Sequence, residues 1–222
     1  MPPVINIFTK KEWARLSAQL LQEAIIELIN KESSCNVMLT GGNSAKDLYL
    51  SWVMLPQFHQ MENVNFYLGD ERCVSFNDPE SNLGMLYRTL FYYGVPKNCQ
   101  VFPMYAEKLS AEDLADHYAE ILPDRIDILL LSVGDDGHIA SLFPGDSALH
   151  ETRLVVPVLG PKPPRQRITI TPEVFLKTKS IYVLAIGNHK YDIFTNLVKS
   201  DGIKNTPPAA LVLNATWILC QK

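Results

Sequence analysis

Between Ser132 and Gly145 the chain reads SVGDDGHIASLFPG, which sets a histidine, His138, among aspartates and glycines. Imidazole is the side chain whose ordinary pKa lets it take up and return a proton near neutrality. The run before it, Ile126 to Leu131 (IDILLL), leaves no solvent face and reads as a central strand covered on both sides. His138 then falls just past the strand's carboxyl end, where open α/β sheets bind their ligands. Gly134 and Gly137 suit a tight turn, and the sequence predicts a helix opening at Ala140 and Ser141. The N-terminus of such a helix would disfavour the imidazolium and leave a neutral ring able to accept a proton. The bland alternative is a histidine that caps or packs at a helix start. His59, His117, His150 and His189 lie in polar or helical surroundings and carry no comparable expectation.

Three further segments carry groups that bind anions or move protons. Thr40, Gly41, Gly42, Asn43 and Ser44 form a glycine turn between a strand and a helix, where a phosphate could approach the backbone and meet helix N-terminal donors. It is neither a Walker loop nor a GxGxxG fingerprint, so nucleotide binding is not indicated; the plain reading is an ordinary turn with Ser44 as N-cap. Asp70, Glu71 and Arg72 follow another strand and would place an acid or base beside a cation, or else form a solvated loop with a local ion pair. Arg167 opens an alternating RITIT strand and Lys190 follows Gly187. Either cation alone reads as a surface charge. Together with Arg72 and the glycine turn they would make a phosphosugar site.

These groups need a scaffold that brings distant strand ends together. Val4 to Phe8, Asn36 to Thr40, Val64 to Leu68, Val101 to Met104, Ile126 to Leu131, Arg167 to Thr171 and Ile181 to Ile186 read as strands, with two more at Ala210 to Leu213 and Thr216 to Cys220. Thr9 to Glu12 (TKKE) reads as a capping box before a helix whose stripe is Trp13, Leu16, Leu20, Ala24 and Leu28, widened by Leu21, Ile25 and Ile29. Ser44 to Met54, Ser81 to Tyr93, Ser110 to Leu122 and Asn188 to Lys199 have helical patterns, and Asp70 to Pro79 reads as a polar loop. The alternation implies a doubly wound, mostly parallel sheet with helices on both faces, plus a small additional β region toward the C-terminal half. Val155 to Arg165 (VVPVLGPKPPR) has too many prolines for a helix and reads as a loop or crossover strand.

Composition limits the partners. With 47% hydrophobic residues over 222 positions the chain can build a packed core, read as one domain without an interdomain linker or repeat. A formal charge of -4 with dispersed Lys and Arg offers no footprint for nucleic acid. No window is long and apolar enough for a membrane span, and the N-terminus lacks a signal-peptide pattern, so a soluble cytoplasmic protein is expected. Cys35, Cys73, Cys99 and Cys220 are widely spaced with no CxxC pair, which argues against a zinc site and for reduced thiols.

TGGNS at Thr40 to Ser44, GDERCVSFNDPESNLGM at Gly69 to Met85 and GDDGHIASLFPG at Gly134 to Gly145 together resemble the 6-phosphogluconolactonase family, of the larger glucosamine-6-phosphate deaminase-like group. KPPRQRITIT at Lys162 to Thr171, AIGNHK at Ala185 to Lys190, and PAALV followed by Trp217 extend the resemblance over nearly the whole chain. The resemblance implies hydrolysis of 6-phosphogluconolactone in the oxidative pentose phosphate pathway without a metal or organic cofactor. His138 falls on the family's catalytic histidine, Gly41, Gly42, Asn43 and Ser44 on its phosphate loop, Arg167 and Lys190 on its basic positions, and Arg72 on the arginine of its DER motif. Ser132 stands where a glycine is usual, and Ala45 where proline is common; neither change removes a chemical group.

Lactone opening needs an activated water, a stabilised oxyanion and a proton for the departing oxygen, which His138, Arg72 or backbone N–H groups, and an orienting Asp70 would supply. The expected partner is a small phosphosugar lactone, and the expected assembly a monomer or homodimer. Two alternatives stand beside it: an amino-sugar phosphate deaminase or isomerase, whose histidine segment typically reads NGH, and a sugar-phosphate sensor without turnover. Asp136 and the SLFP continuation favour the lactonase over the first, and the presence of His138 disfavours the second.

Overall fold

The computed structural model describes residues 2–104, 109–199 and 206–221. Seven strands form one sheet: β1 (Val4–Ile7), β2 (Cys35–Leu39), β3 (Val64–Leu68), β5 (Gln100–Val101), β6 (Ile126–Ser132), β9 (Thr178–Ile186) and β10 (Thr216–Cys220). Three shorter strands, β4 (Asp70–Arg72), β7 (Val155–Leu159) and β8 (Gln166–Ile170), form a second sheet. The large sheet runs β1-β10-β9-β6-β2-β3-β5 with every pairing parallel, and the small one β4-β8-β7 is antiparallel. The helices are α1 (Trp13–Glu32), α2 (Asn43–Trp52), α3 (Asn82–Arg88), α4 (Ala111–Ile121), α5 (Pro172–Leu176) and α6 (Asn188–Lys199).

From β2 the chain moves outward to β3 and β5, whereas from β6 it moves the opposite way to β9 and β10. Right-handed crossovers then put α1, α2 and α3 on one face and α4 and α6 on the other. Neighbours β2 and β6 therefore send their following loops in opposite directions, which opens a crevice at their carboxyl ends.

The central strands are as apolar as their sequence requires: Ile128 to Leu131 are 0% exposed, and Val37 to Leu39 nearly so. Two buried tyrosines fix strand ends beside the crevice. The Tyr49 hydroxyl, from α2, accepts from the Thr40 N–H (3.1 Å) and donates to the Thr40 carbonyl (2.8 Å). From α4, the Tyr118 hydroxyl does the same for Leu68, at 2.8 and 3.1 Å. Burial pushes both phenols far above their ordinary pKa, so they stay protonated and can donate.

Several expectations are corrected. No helix follows His138; the chain makes a tight turn closed by a bridge between Ile139 and Leu142, with Ala140 at φ 49°. Pro144 and the left-handed Gly145 break any helical continuation, so the apolar ILF spacing reflects burial in a turn. Asp70 to Arg72 is not part of a loop but strand β4, because its charges find buried partners. Gly42, not Ser44, precedes the first turn of α2.

Thr9 does not cap α1: its hydroxyl donates to the Glu12 carboxylate (2.7 Å) while its carbonyl receives the first helical N–H groups. The buried face of α1 is Trp13, Ser17, Ala18, Leu21, Gln22, Ile25 and Leu28, rotated from the expected stripe. Gln22 can be buried there because it accepts from the Trp52 indole N–H at 2.7 Å. The helix expected over Ser81 to Tyr93 ends at Arg88. Pro208–Val212 is a short 3₁₀ helix where a strand was expected, since β1 and β9 already occupy both edges of β10. All cysteines are free thiols, and among the described residues no helix is long and apolar enough to cross a membrane.

Tyr118→Phe leaves a buried N–H and carbonyl at Leu68 without their partner. We expect a loss of about 2 kcal/mol, or roughly 4–8 °C in Tm, by calorimetry with the helical signal retained. An unchanged Tm would show that the hydroxyl is dispensable.

Candidate active site

The crevice holds a cavity of about 400 Å³ whose walls come from five segments. Thr40 to Asn43 follow β2, Asp70 and Arg72 belong to β4, and Ser132 ends β6 and leads into Val133 to Asp135, His138 and Ala140. Lys162 and Arg167 come from the β7–β8 hairpin, and Lys190 from the first turn of α6. All the expected site residues line this space except Ser44, which sits in the first turn of α2 and is not among the lining.

The histidine turn is built by its glycines. Gly134 donates its N–H to the His138 carbonyl (2.8 Å), and Gly137, at φ 79°, donates to the Gly134 carbonyl (3.0 Å). The His138 ring lies so close over Gly134 that a Cβ there would be 2.0 Å from Cε1. Asp136 replaces the expected helix terminus as the group that sets the ring: its Oδ1 accepts from the His138 N–H at 3.1 Å and lies 2.5 Å from Nδ1. Burial works against the Asp136 carboxylate, but the adjacent His138 charge and hydrogen bonds prevail and hold it below the usual carboxylate range. An ionised carboxylate only accepts, so Nδ1 carries the proton of this hydrogen bond, and in the neutral ring the lone pair is then on Nε2.

Arg72 and Arg167 stand directly opposite in the β4–β8 register. Such a like-charge pair is unfavourable unless an anion or carbonyl dipoles compensate. Arg72 donates from Nη1 to the carbonyl and carboxylate of Glu80 at 2.8 and 3.0 Å, and its buried Nε has no partner among the described residues. Arg167 is buried, donating from Nε to the Pro164 carbonyl (3.0 Å), with its guanidinium 5.5 Å from the Phe143 ring centre. Burial first, then the charge of Arg72, depresses its pKa. Gly42, at φ 92°, has open space where a Cβ would be, and leaves the backbone approachable. Gly41 has another reason to be glycine: a Cβ would lie 2.0 Å from Asn82 Oδ1.

The family model of glucosamine-6-phosphate isomerases/6-phosphogluconolactonase matches residues 9–219. The chain belongs to this family. It is 34% identical to 6-phosphogluconolactonase 3 of Saccharomyces cerevisiae over 204 residues, covering 84% of this chain and 80% of the yeast protein. To the 6-phosphogluconolactonase of Homo sapiens it is 32% identical over 244 aligned positions, covering 99% and 90% of the two chains. The solved 6-phosphogluconolactonase of Trypanosoma brucei superposes with a TM-score of 0.84 at 25% identity, covering 98% and 96%.

Within this family scaffold the structure adds residues that sequence reasoning passed over. Asp136 was visible as a neighbour of His138, but its grip on Nδ1 depends on the turn that brings residue i back onto i−2. Ser141 and Asn82 reach Asp70 from 71 and 12 residues away in sequence. Lys162 enters the cavity on the proline-rich hairpin. His189, read as an ordinary helical histidine, places Nε2 2.7 Å from the Asp135 carbonyl and so ties α6 to the His138 turn.

Gly134→Ala is expected to keep the fold but drive the His138 ring off its shelf. A catalytic constellation displaced by about an ångström costs on the order of 10²-fold; kcat for the reaction proposed below checks it, and a fully active variant would show that ring placement is not limiting.

Proposed function

We propose that this family member hydrolyses 6-phosphoglucono-1,5-lactone to 6-phosphogluconate in the oxidative pentose phosphate pathway, the activity for which its yeast, human and trypanosomal relatives are named. The observation that carries the reading is that His138, oriented by Asp136, shares one cavity with Arg72, Arg167, Lys190 and the open backbone at Gly42. One end of that cavity suits an anion and the other a proton transfer. The substrate has a phosphate at one end and an acyl carbon at the other.

Nε2 of His138 takes a proton from a water as its oxygen attacks the lactone carbonyl carbon. The carbonyl π electrons move to oxygen, where Arg72 and backbone N–H groups of the turns stabilise the charge. On collapse of the tetrahedral intermediate the bond to the ring oxygen breaks, and the proton held on Nε2 passes to that oxygen. The transient imidazolium is stabilised by Asp136, which accepts from Nδ1 throughout. Asp70, buried between Ser141 and Asn82, acts from behind as an orienting carboxylate. Gly41, Gly42, Asn43, Arg167 and Lys190 hold the phosphate, with Ser44 behind them in the first turn of α2. The chemistry balances with water alone and calls for no metal or organic cofactor. We place the enzyme in the cytoplasm, acting as a monomer or homodimer.

His138→Ala is expected to lower kcat by about 10²–10⁴-fold with KM little changed, after the spontaneous opening of the lactone is subtracted. Arg167→Leu should do the reverse, raising KM about 10-fold or more while sparing kcat. Turnover near wild type in folded His138→Ala would remove the histidine from the mechanism.

A further inference from the structure

Asp70 and Arg167 are opposite charges buried in the same wall, 5% and 7% exposed, yet they do not form an ion pair. One hydroxyl stands between them. Ser141, 0% exposed, donates from Oγ to Asp70 Oδ2 at 2.7 Å and receives a longer contact from Arg167 Nη1 at 3.4 Å. Its own backbone N–H donates to Thr169 Oγ1 at 3.1 Å, and Thr169 is the β8 residue paired with Asp70, two positions along the strand from Arg167. The remaining carboxylate oxygen of Asp70 faces Asn82 Nδ2 at 3.3 Å.

In a poorly solvated wall a carboxylate and a guanidinium attract strongly, and direct pairing is the default outcome. If Arg167 closed on Asp70, its charge would be spent inside the protein and its N–H groups would turn from the cavity. We infer that Ser141 is a positioning residue that keeps Asp70 from capturing Arg167, so that the guanidinium stays available to the anionic end of the ligand. The serine satisfies the carboxylate from one side and occupies the space through which the two charges would meet. The other Arg167 contacts agree with this: Nε and Nη2 are steered by the Pro164 and Lys162 carbonyls, at 3.0 and 3.4 Å, which orient the group without neutralising it. Gly160 supports the same placement, since a Cβ there would lie 2.7 Å from Arg167 Nε. Ser141 is three residues from His138, so the turn that carries the base also sets the cation. The identity of the anion as a phosphosugar rests on the function proposed above; the spacing itself does not.

The test uses the full chain as wild type, Ser141→Ala, Asp70→Asn and the double variant. Calorimetry measures Kd for 6-phosphogluconate and for inorganic phosphate, and lactonase assays give KM and kcat. Ser141→Ala should raise Kd and KM about 10-fold while kcat stays within about 3-fold. Adding Asp70→Asn should restore Kd to within about 3-fold of wild type, because a neutral amide cannot capture the guanidinium. A serine with only a packing role predicts the opposite, a double variant at least as weak as either single one. Ser141→Ala binding like wild type, or a double variant that binds no better than Ser141→Ala, overturns the inference. If Ser141→Ala fails to fold, Ser141→Gly with and without Asp70→Asn carries the same comparison. A wild-type chain without lactonase activity would defeat the functional reading, while the phosphate series would still decide the role of Ser141.

Discussion

The arrangement of the site depends on one buried carboxylate. Glu71 is 1% exposed and accepts from the backbone N–H groups of Arg72, Asn82 and Leu83, each at 2.7 Å, and from the Ser81 hydroxyl at 3.2 Å. Burial pushes its pKa up, and the three backbone donors oppose that shift. A charged group in such a place must be saturated with hydrogen bonds to persist. Saturating Glu71 ties β4 to the start of α3, which is short and has little cohesion of its own. With α3 anchored, Asn82 points at Asp70 and donates to its carbonyl at 2.9 Å. Gly41 leaves the room that Asn82 needs, so the turn after β2 is shaped by the same contact.

On that base, sheet topology and charge do separate work. The reversal between β2 and β6 opens the crevice, and the small antiparallel sheet roofs it with Arg72 and Arg167 side by side. Two guanidiniums in register cost free energy in an empty site, and part of that cost is returned when an anion enters. An acidic protein can therefore bind an anionic ligand locally, without the long-range attraction that a basic surface would give.

How much of this the sequence discloses differs from residue to residue. Ile126 to Leu131 is legible because a strand covered on both faces admits almost nothing polar, and Asp127 enters only with Arg125 and the Asn36 N–H as partners. The glycine turn, the DER triplet and the His138 string are legible as clusters, because strand–turn punctuation puts each at a strand's carboxyl end. Their meeting in one cavity is not local information; it follows from strand order, which periodicity does not encode. DER looks like a solvated loop because its charges are visible and their buried partners, Asn82, Ser81 and Ser141, are not adjacent in sequence. The α1 stripe is rotated for a related reason: Gln22 is polar by type but becomes a core residue through Trp52.

The missing helix after His138 changes the chemistry more than the fold. A helix N-terminus acts on the ring as a fixed positive end, favouring neutral imidazole and penalising the imidazolium that a general base must become. Asp136 acts with the opposite sign: it accepts from Nδ1, leaves Nε2 as the lone-pair nitrogen of the neutral tautomer, and in the mechanism proposed above would favour the positive charge that develops on the ring. Position is kept by geometry instead, through Gly134 beneath the ring and Phe143 beside it, with ring centres 4.9 Å apart. In the mechanism proposed above, a turn built this way offers Nε2 of the neutral ring to a water and places a carboxylate beside the ring once it is protonated. The same short turn carries Ser141, so the proposed base and the hydroxyl between Asp70 and Arg167 belong to one local structure.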